Sequence, residues 1–323
     1  MIETLLNPAV LFFGLGLAAV LLGSELEIPP SISLALSQVL LLAIGLKGGF
    51  AIADNGLPAN AFALLAAGLV LSFAIPVMGY AILRRATRLS PADAAVVAAH
   101  YGSVSVVTFM AAVSYLQFRD ETYSGHMVAL LVVMEVPAIL SGIWLARRYM
   151  SLEETQAATA NTSGHRALTN AGVLLLLGGL LMGVVSTGSG REQLEAAFLG
   201  PFFGLLCLFL LDIGVKAGKH LPILRANGAT LPLFGVLMPL VCGGIALLCS
   251  VPLGLSVADA TLFAVLAASA SYIVVPAAMQ VALPQANVVV GTAVSLSITF
   301  PFNILVGIPL FYLAARTLLG GTP

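Results

Sequence analysis

Charge is what this sequence has least of. Only 8% of its 323 residues are Asp, Glu, Lys or Arg, against about a quarter in a soluble domain, and this excludes a water-soluble fold. The formal net charge is −1 and no basic block stands anywhere, so the electrostatic footprint that nucleic acid demands is missing. Cysteine is scarce as well. Cys207, Cys242 and Cys249 lie in apolar segments without CxxC or any other metal-ligand spacing, and each reads as a small buried side chain. There is no HExxH, and no Cys/His or Ser/His pair at motif spacing, which leaves an intramembrane enzyme without its catalytic groups. From Thr261 to Ala315 no residue is charged, a length that accommodates two membrane spans of about 20 residues each.

What is present is apolar helix, with hydrophobic residues making up 60% of the chain. Breaks at charged and Gly/Pro/Asn-rich stretches predict an all-α polytopic membrane protein with ten spans, near 5–24, 31–53, 58–83, 91–117, 125–146, 168–187, 195–218, 228–251, 257–281 and 286–315. No Lys or Arg precedes the first apolar run, so a cleavable signal peptide is not expected. The longest polar interruption, at 149–166, divides the chain into a first five-helix half (1–148), a linker, and a second half (167–323).

The halves resemble each other. IGLKGG (44–49) in the second span matches IGVKAG (213–218) in the seventh, and EVP (135–137) in the fifth matches TFP (299–301) in the tenth. SPADAA begins at Ser90 and leads to Ser103 and Ser105, while SVADAT begins at Ser256 and leads to Ser269 and Ser271, with thirteen positions from first to second serine in both. Five spans is an odd number, so the second copy enters the bilayer from the opposite side, as an inverted repeat. The loops after spans 3, 5 and 7 carry nine Lys or Arg (Arg84, Arg85, Arg88, Arg147, Arg148, Arg166, Lys216, Lys219, Arg225), against four on the other side (Lys47, Arg119, Arg191, Arg316). The excess marks the cytoplasmic side and places both termini outside.

Ser90 and Ser256 fit helix N-caps, each with an acidic residue three positions later, which makes Asp93 and Asp259 capping residues before transport carboxylates. Thirteen helical residues rise about 20 Å into a core about 30 Å thick, so Ser103, Ser105, Ser269 and Ser271 reach the midplane from opposite faces. There they can form a polar site between spans 4 and 9, where unwound backbone and half-helix N-termini offer N–H donors to an anion. Gly102 favours an interruption of span 4, and Pro276 one later in span 9. The competing reading is that such hydroxyls bond to the preceding turn or glue neighbouring helices.

Glu135 stands about ten residues inside an apolar span, where a carboxylate is costly and usually functional. Its repeat companions Thr299 and Asn303 carry oxygens suited to a hard cation such as Na⁺. Pairing with a Lys or His is the alternative, and His100 is a candidate partner or proton relay. Lys47 and Lys216 sit near helix ends, where snorkelling explains them. Asp212 can pair with Lys216 four residues on.

Six segments then carry a family resemblance: LLLAIGLKGG (40–49), AAHYGSVSVVTF (98–109), EVPAI (135–139), LAASASYIVVPAA (266–278), LPQAN (283–287) and SITFPFNILVGIPL (297–310). Together they resemble the sodium-dependent bicarbonate transport permeases of cyanobacteria and other bacteria, over nearly the full chain. The resemblance implies a core part moving against a gate part, a homotrimer in the lipid bilayer of the bacterial inner membrane, no cofactor, and import of bicarbonate with Na⁺ as coupling ion. By motif it places the substrate and ion region at Ser103, Ser105, Thr108, Ser269 and Ser271. Joined to the reading of the residues above, the substrate is expected at Gly102, Ser103, Ser105, Thr108, Ser269, Ser271 and Tyr272, and Na⁺ at Glu135, Ser105, Ser271, Thr299 and Asn303. Val106-Val107 replace a Gly-Ser pair of the cyanobacterial pattern, and Tyr272 replaces an Asp. A cation site that lacks this acidic residue keeps a second reading open, the same scaffold carrying another small anion or carboxylate, with H⁺ as coupling ion. The short linker gives no basis for the regulatory partner that docks on the cytoplasmic face of cyanobacterial members.

Overall fold

A computed structural model describes residues 8–149, 171–226, 228–283 and 285–320. Every regular element among them is helical. In the first half these are α1 (Pro8–Leu21), α2 (Pro30–Asn55), α3 (Ala61–Ala86), α4 (Pro91–Gly102), α5 (Val106–Gln117), α6 (His126–Val133) and α7 (Val136–Tyr149). The second half has α8 (Ala171–Val185), α9 (Gly188–Leu194), α10 (Phe202–Ala226), α11 (Thr230–Ser250), α12 (Val257–Ala268), α13 (Val274–Ala282), α14 (Val288–Val294) and α15 (Ile308–Leu319). Between α14 and α15 the chain passes through two π-helical turns, Ser295–Thr299 and Asn303–Gly307, on either side of Phe300–Phe302.

Among the described residues seven helical stretches are long and apolar enough to cross a membrane: 30–55, 61–86, 91–117, 126–148, 188–224, 230–250 and 288–319. They fall where the sequence predicts spans 2, 3, 4, 5, 7, 8 and 10. At spans 1, 6 and 9 stand shorter apolar helices, Pro8–Leu21, Leu174–Val185 and Val257–Ala268. The last is short because the chain unwinds at Ser269 and resumes as α13. The linker expected at 149–166, apart from Tyr149, lies outside the described residues, as do Arg166 and both chain ends.

Packing follows from where side chains are small. Gly45 and Gly49 of α2 lie against Gly179 and Gly183 of α8, so that a Cβ on Gly49 would stand 2.8 Å from the Gly183 Cα. On the other flank Gly214 of α10 meets Phe13 and Leu17 of α1. With no water to expel, helices in lipid associate through such close backbone approach. In contrast α4, α5 and α12 are buried nearly throughout, enclosed by α3, α7, α11 and α15. The large exposed side chains Phe62, Leu69, Val70 and Phe73 of α3, and Leu233, Leu237, Val241 and Leu248 of α11, form apolar outer faces suited to lipid.

Two aspartates tie one half to the other. Ser90 and Ser256 cap α4 and α12, accepting the N–H of Asp93 at 3.0 Å and of Asp259 at 3.1 Å. The Asp93 carboxylate also accepts the Ser90 hydroxyl at 2.7 Å, and both carboxylates reach across. Asp93 accepts the Asn287 N–H at 2.7 Å, just before α14, and Asp259 accepts the Ser124 N–H at 2.8 Å and its hydroxyl at 2.7 Å, just before α6. Asp212 of α10 pairs with Lys216 at 2.6 Å, as the four-residue spacing predicts, and also takes the Ser33 hydroxyl of α2 at 2.5 Å.

Gly49→Val should force α2 off α8 and cost about 1–3 kcal/mol, seen as a lower thermal midpoint in detergent. Gly178→Ala, with nothing within 4 Å of the added methyl, should leave the midpoint unchanged; equal loss in both would contradict the glycine seam.

Candidate functional site

The hydroxyl-rich stretch interrupts helix. α4 ends at Gly102, Ser103 and Ser105 adopt extended backbone (φ −87°, ψ 144° and φ −99°, ψ 109°), and α5 begins at Val106. In the other half α12 ends at Ala268, Ser269 is extended (φ −82°, ψ 164°), and α13 begins at Val274. Pro276 lies in the first turn of α13, after the interruption, where a missing N–H costs nothing. Gly102 is needed for close approach: a Cβ there would strike Pro76 and sit 2.6 Å from the Ser72 carbonyl oxygen of α3.

Unwound backbone inside hydrocarbon must find partners, and the two interruptions supply them to each other. The Ser271 N–H donates to the carbonyls of His100 (2.8 Å) and Ser103 (3.2 Å). The Ser105 N–H donates to the Ser269 hydroxyl oxygen at 2.8 Å, and that hydroxyl donates to the Leu266 carbonyl at 2.8 Å. Ser105 also caps α5, its hydroxyl oxygen accepting the Thr108 N–H at 3.2 Å. The Asn303 side chain donates to the Ala268 carbonyl at 2.9 Å, holding the last turn of α12.

Beside this crossing lies a cavity of about 270 Å³. Ser105, Val106, Val107, Ser271, Tyr272, Ile273 and Val274 line it from the two interruptions, Glu135 from the junction of α6 and α7, and Ser37 and Gln38 from α2. The first N–H groups of a helix have no intrahelical acceptor and carry the positive end of its dipole. Val106-Val107 and Val274 begin α5 and α13, so two helix N-termini face one cavity. Glu135 is 4% exposed, and its Oε1 has no hydrogen-bond partner. The Tyr272 ring packs edge-on against Phe300, with centroids 5.8 Å apart.

The structure therefore brings Ser105, Ser271, Tyr272 and Glu135 together, with Thr108 directly behind Ser105. Gly102, Ser103 and Ser269 lie in the crossing behind the cavity wall, Ser269 as a bridge and Ser103 fully buried. Thr299 and Asn303 stand apart from the cavity. The Thr299 hydroxyl is shared with Tyr101 at 2.7 Å and donates to the Gly235 carbonyl at 2.8 Å, while Asn303 serves the end of α12. Sequence reasoning missed Ser37 and Gln38, because polar residues in the first turns of a span look like ordinary interfacial residues. Among the described residues no group of three His, Cys, Asp or Glu could hold a metal ion.

A bundle of long apolar helices, with a cavity beside two interrupted ones, defines a multi-pass membrane protein. The model of the Na⁺-dependent bicarbonate transporter superfamily matches residues 8–316, and the chain belongs to that family. Comparison with curated proteins finds no match.

In a variant lacking Cys207, Cys242 and Cys249, Ser271→Cys should react with a small polar thiol reagent while Ser103→Cys stays unlabelled. Mass spectrometry reads both, and equal labelling would contradict the placement of the cavity wall.

Proposed function

We propose that the chain is a secondary active transporter that imports bicarbonate with Na⁺, and that the cavity beside the α4–α5 and α12–α13 interruptions is where both are held. The observation that carries this reading is the meeting of two helix N-termini with an unpartnered carboxylate in one cavity. The N-termini and the hydroxyls of Ser105 and Ser271 favour an anion, while Glu135 repels one. A bound cation at Glu135 cancels that repulsion, so each ion strengthens the binding of the other, which is the coupling that symport needs. Ser105 and Ser271 offer oxygens to either ion, and Tyr272 closes the wall next to them. Thr299 and Asn303 keep the helices around this site in place, and the same reading keeps them as oxygen donors for Na⁺, with the Asn303 Oδ1 buried and without a partner.

Ten spans in two inverted repeats accord with the packing. The glycine of each IGxK motif, Gly45 or Gly214, meets the first span of the other half, α8 or α1. Asp93 and Asp259 likewise each clasp the start of the last span of the opposite half. With the loops after spans 3, 5 and 7 in the cytoplasm, both termini lie outside the bacterial inner membrane. The cavity, lined by the opening turns of α2 and α8, then faces the cytoplasm. The homotrimer rests on the family resemblance.

A second reading keeps the scaffold and changes the cargo to another small carboxylate, with H⁺ as coupling ion. It is favoured by the apolar reach of the cavity past the serines, along Leu34, Leu41, Met110 and Leu176.

Labelled bicarbonate uptake into proteoliposomes, with an inward Na⁺ gradient or K⁺ in its place, tests the first reading. Uptake should require Na⁺, and Ser105→Ala and Ser271→Ala should each lower it at least tenfold with assembly intact. Uptake in neither cation from folded protein would contradict bicarbonate as cargo, and uptake of labelled acetate, formate or lactate driven by an inward H⁺ gradient would then favour the second reading.

A further inference from the structure

His100 takes no part in the cavity wall, yet it holds one of the residues that does. It is fully buried in the last turn of α4. Its ring Nδ1 is hydrogen-bonded to the Ser271 carbonyl oxygen, while its own carbonyl accepts the Ser271 N–H at 2.8 Å. One residue in the last turn before the first interruption thus grips both peptide groups of one residue in the second. A carbonyl oxygen can only accept, so Nδ1 carries the proton. The other ring nitrogen, Nε2, is buried without a partner and faces Gly291 of α14, where a Cβ would strike the ring. A doubly protonated ring would leave that second N–H donor unmet, and a relay would need a group there to pass the proton on. The ring is therefore neutral, in the Nδ1–H form.

The opposite half has no equivalent. Thirteen positions before Ser269 stands Ser256, as Ser90 stands before Ser103, so His100 corresponds to Leu266. On that side the Ser269 hydroxyl bridges between the Ser105 N–H and the Leu266 carbonyl. The two interruptions are joined by different chemistry, a ring on one side and a hydroxyl on the other.

We propose that His100 is a positioning residue for anion selectivity: by drawing the Ser271 carbonyl back toward α4, it keeps a backbone acceptor off the cavity and leaves the Ser271 hydroxyl and the α13 N-terminus as what the cargo meets. In an unwound segment the carbonyls have lost their helical donors. One turned into the cavity would place a partial negative charge against a bound anion, and favour a bare cation instead. The Nδ1–H bond is the device that prevents this. The inference rests on the transport reading of the cavity.

Substitutions separate this role from packing by where each side chain can place a donor. In His100→Asn the amide nitrogen lies as many bonds from the backbone as Nδ1; in His100→Gln it lies one bond further, in the direction of Nε2. At saturating Na⁺, His100→Gln and His100→Leu should raise the apparent KM for labelled bicarbonate about tenfold, the scale of one lost buried hydrogen bond, with maximal rate held within about threefold. His100→Asn should stay within about threefold of wild type in KM. Wild-type KM in His100→Gln, or His100→Asn as impaired as His100→Leu, would overturn the proposal. Absence of uptake by the wild type would instead overturn the transport reading. Independently of any cargo, ¹⁵N NMR of histidine-labelled protein should show a neutral Nδ1–H ring that disappears in His100→Asn. An Nε2–H or doubly protonated ring for His100 would overturn the inference whatever the protein carries.

Discussion

The structure depends on a mutual rescue. Two helices unwind in the middle of an apolar bundle, and each supplies the hydrogen-bond partners that the other has lost. The Ser271 N–H reaches the carbonyls of His100 and Ser103, and the Ser105 N–H reaches the Ser269 hydroxyl. An isolated interruption of either helix would leave several donors and acceptors in hydrocarbon, at a few kcal/mol apiece. Crossed, the two interruptions satisfy their backbone and still leave two helix N-termini open toward one cavity. The Ser103 hydroxyl and the His100 Nε2 stay buried without partners at the crossing.

The surrounding packing serves that crossing. The Asp93 and Asp259 clasps fix where α14 and α6 begin relative to α4 and α12, and so fix the depth at which the interruptions meet. Glu135 reaches the cavity because α6 stops at Val133 and α7 starts at Val136, which leaves the carboxylate at a junction rather than on a continuous helix face. The Ser72 hydroxyl bonds the Met134 carbonyl there, as Thr299 bonds Gly235 in the other half. The glycine seams of α2 on α8 and α1 on α10 lie outside this body. The two groups of helices thus differ in their contacts: polar clasps join the halves in one, and close backbone approach dominates the other, with the Ser33–Asp212 hydrogen bond between α2 and α10.

Much of this was legible in the sequence. Apolar run length gave the helices, and the SPAD and SVAD caps lie where the Ser and Asp spacing puts them. The serine pairs stood out because matching offsets in two halves are hard to produce by chance. What the sequence could not carry were contacts between halves. Nothing in the spacing of Asp93 says that its carboxylate goes to Asn287, nor that His100 reaches Ser271, because both contacts arise only when helices far apart in the chain pack together. Thr299 and Asn303 illustrate the limit from the other side. Their place opposite Glu135 in the repeat is real in the sequence, yet the two hydroxyl and amide groups hold Gly235, Tyr101 and Ala268 rather than lining the cavity. Repeat equivalence transmits position, while chemistry depends on what crosses nearby.

The central claim is that anion and cation share one cavity through opposed charges, helix N-termini for the first and Glu135 for the second. Calorimetric titration of the purified protein with bicarbonate, in Na⁺ and in K⁺ buffers, for wild type and Glu135→Gln, tests it most directly. Wild type should bind bicarbonate only in Na⁺, whereas Glu135→Gln, relieved of the negative charge, should bind it equally in both. Bicarbonate binding that ignores Na⁺ in the wild type, or that keeps its full Na⁺ dependence in Glu135→Gln, would contradict the account.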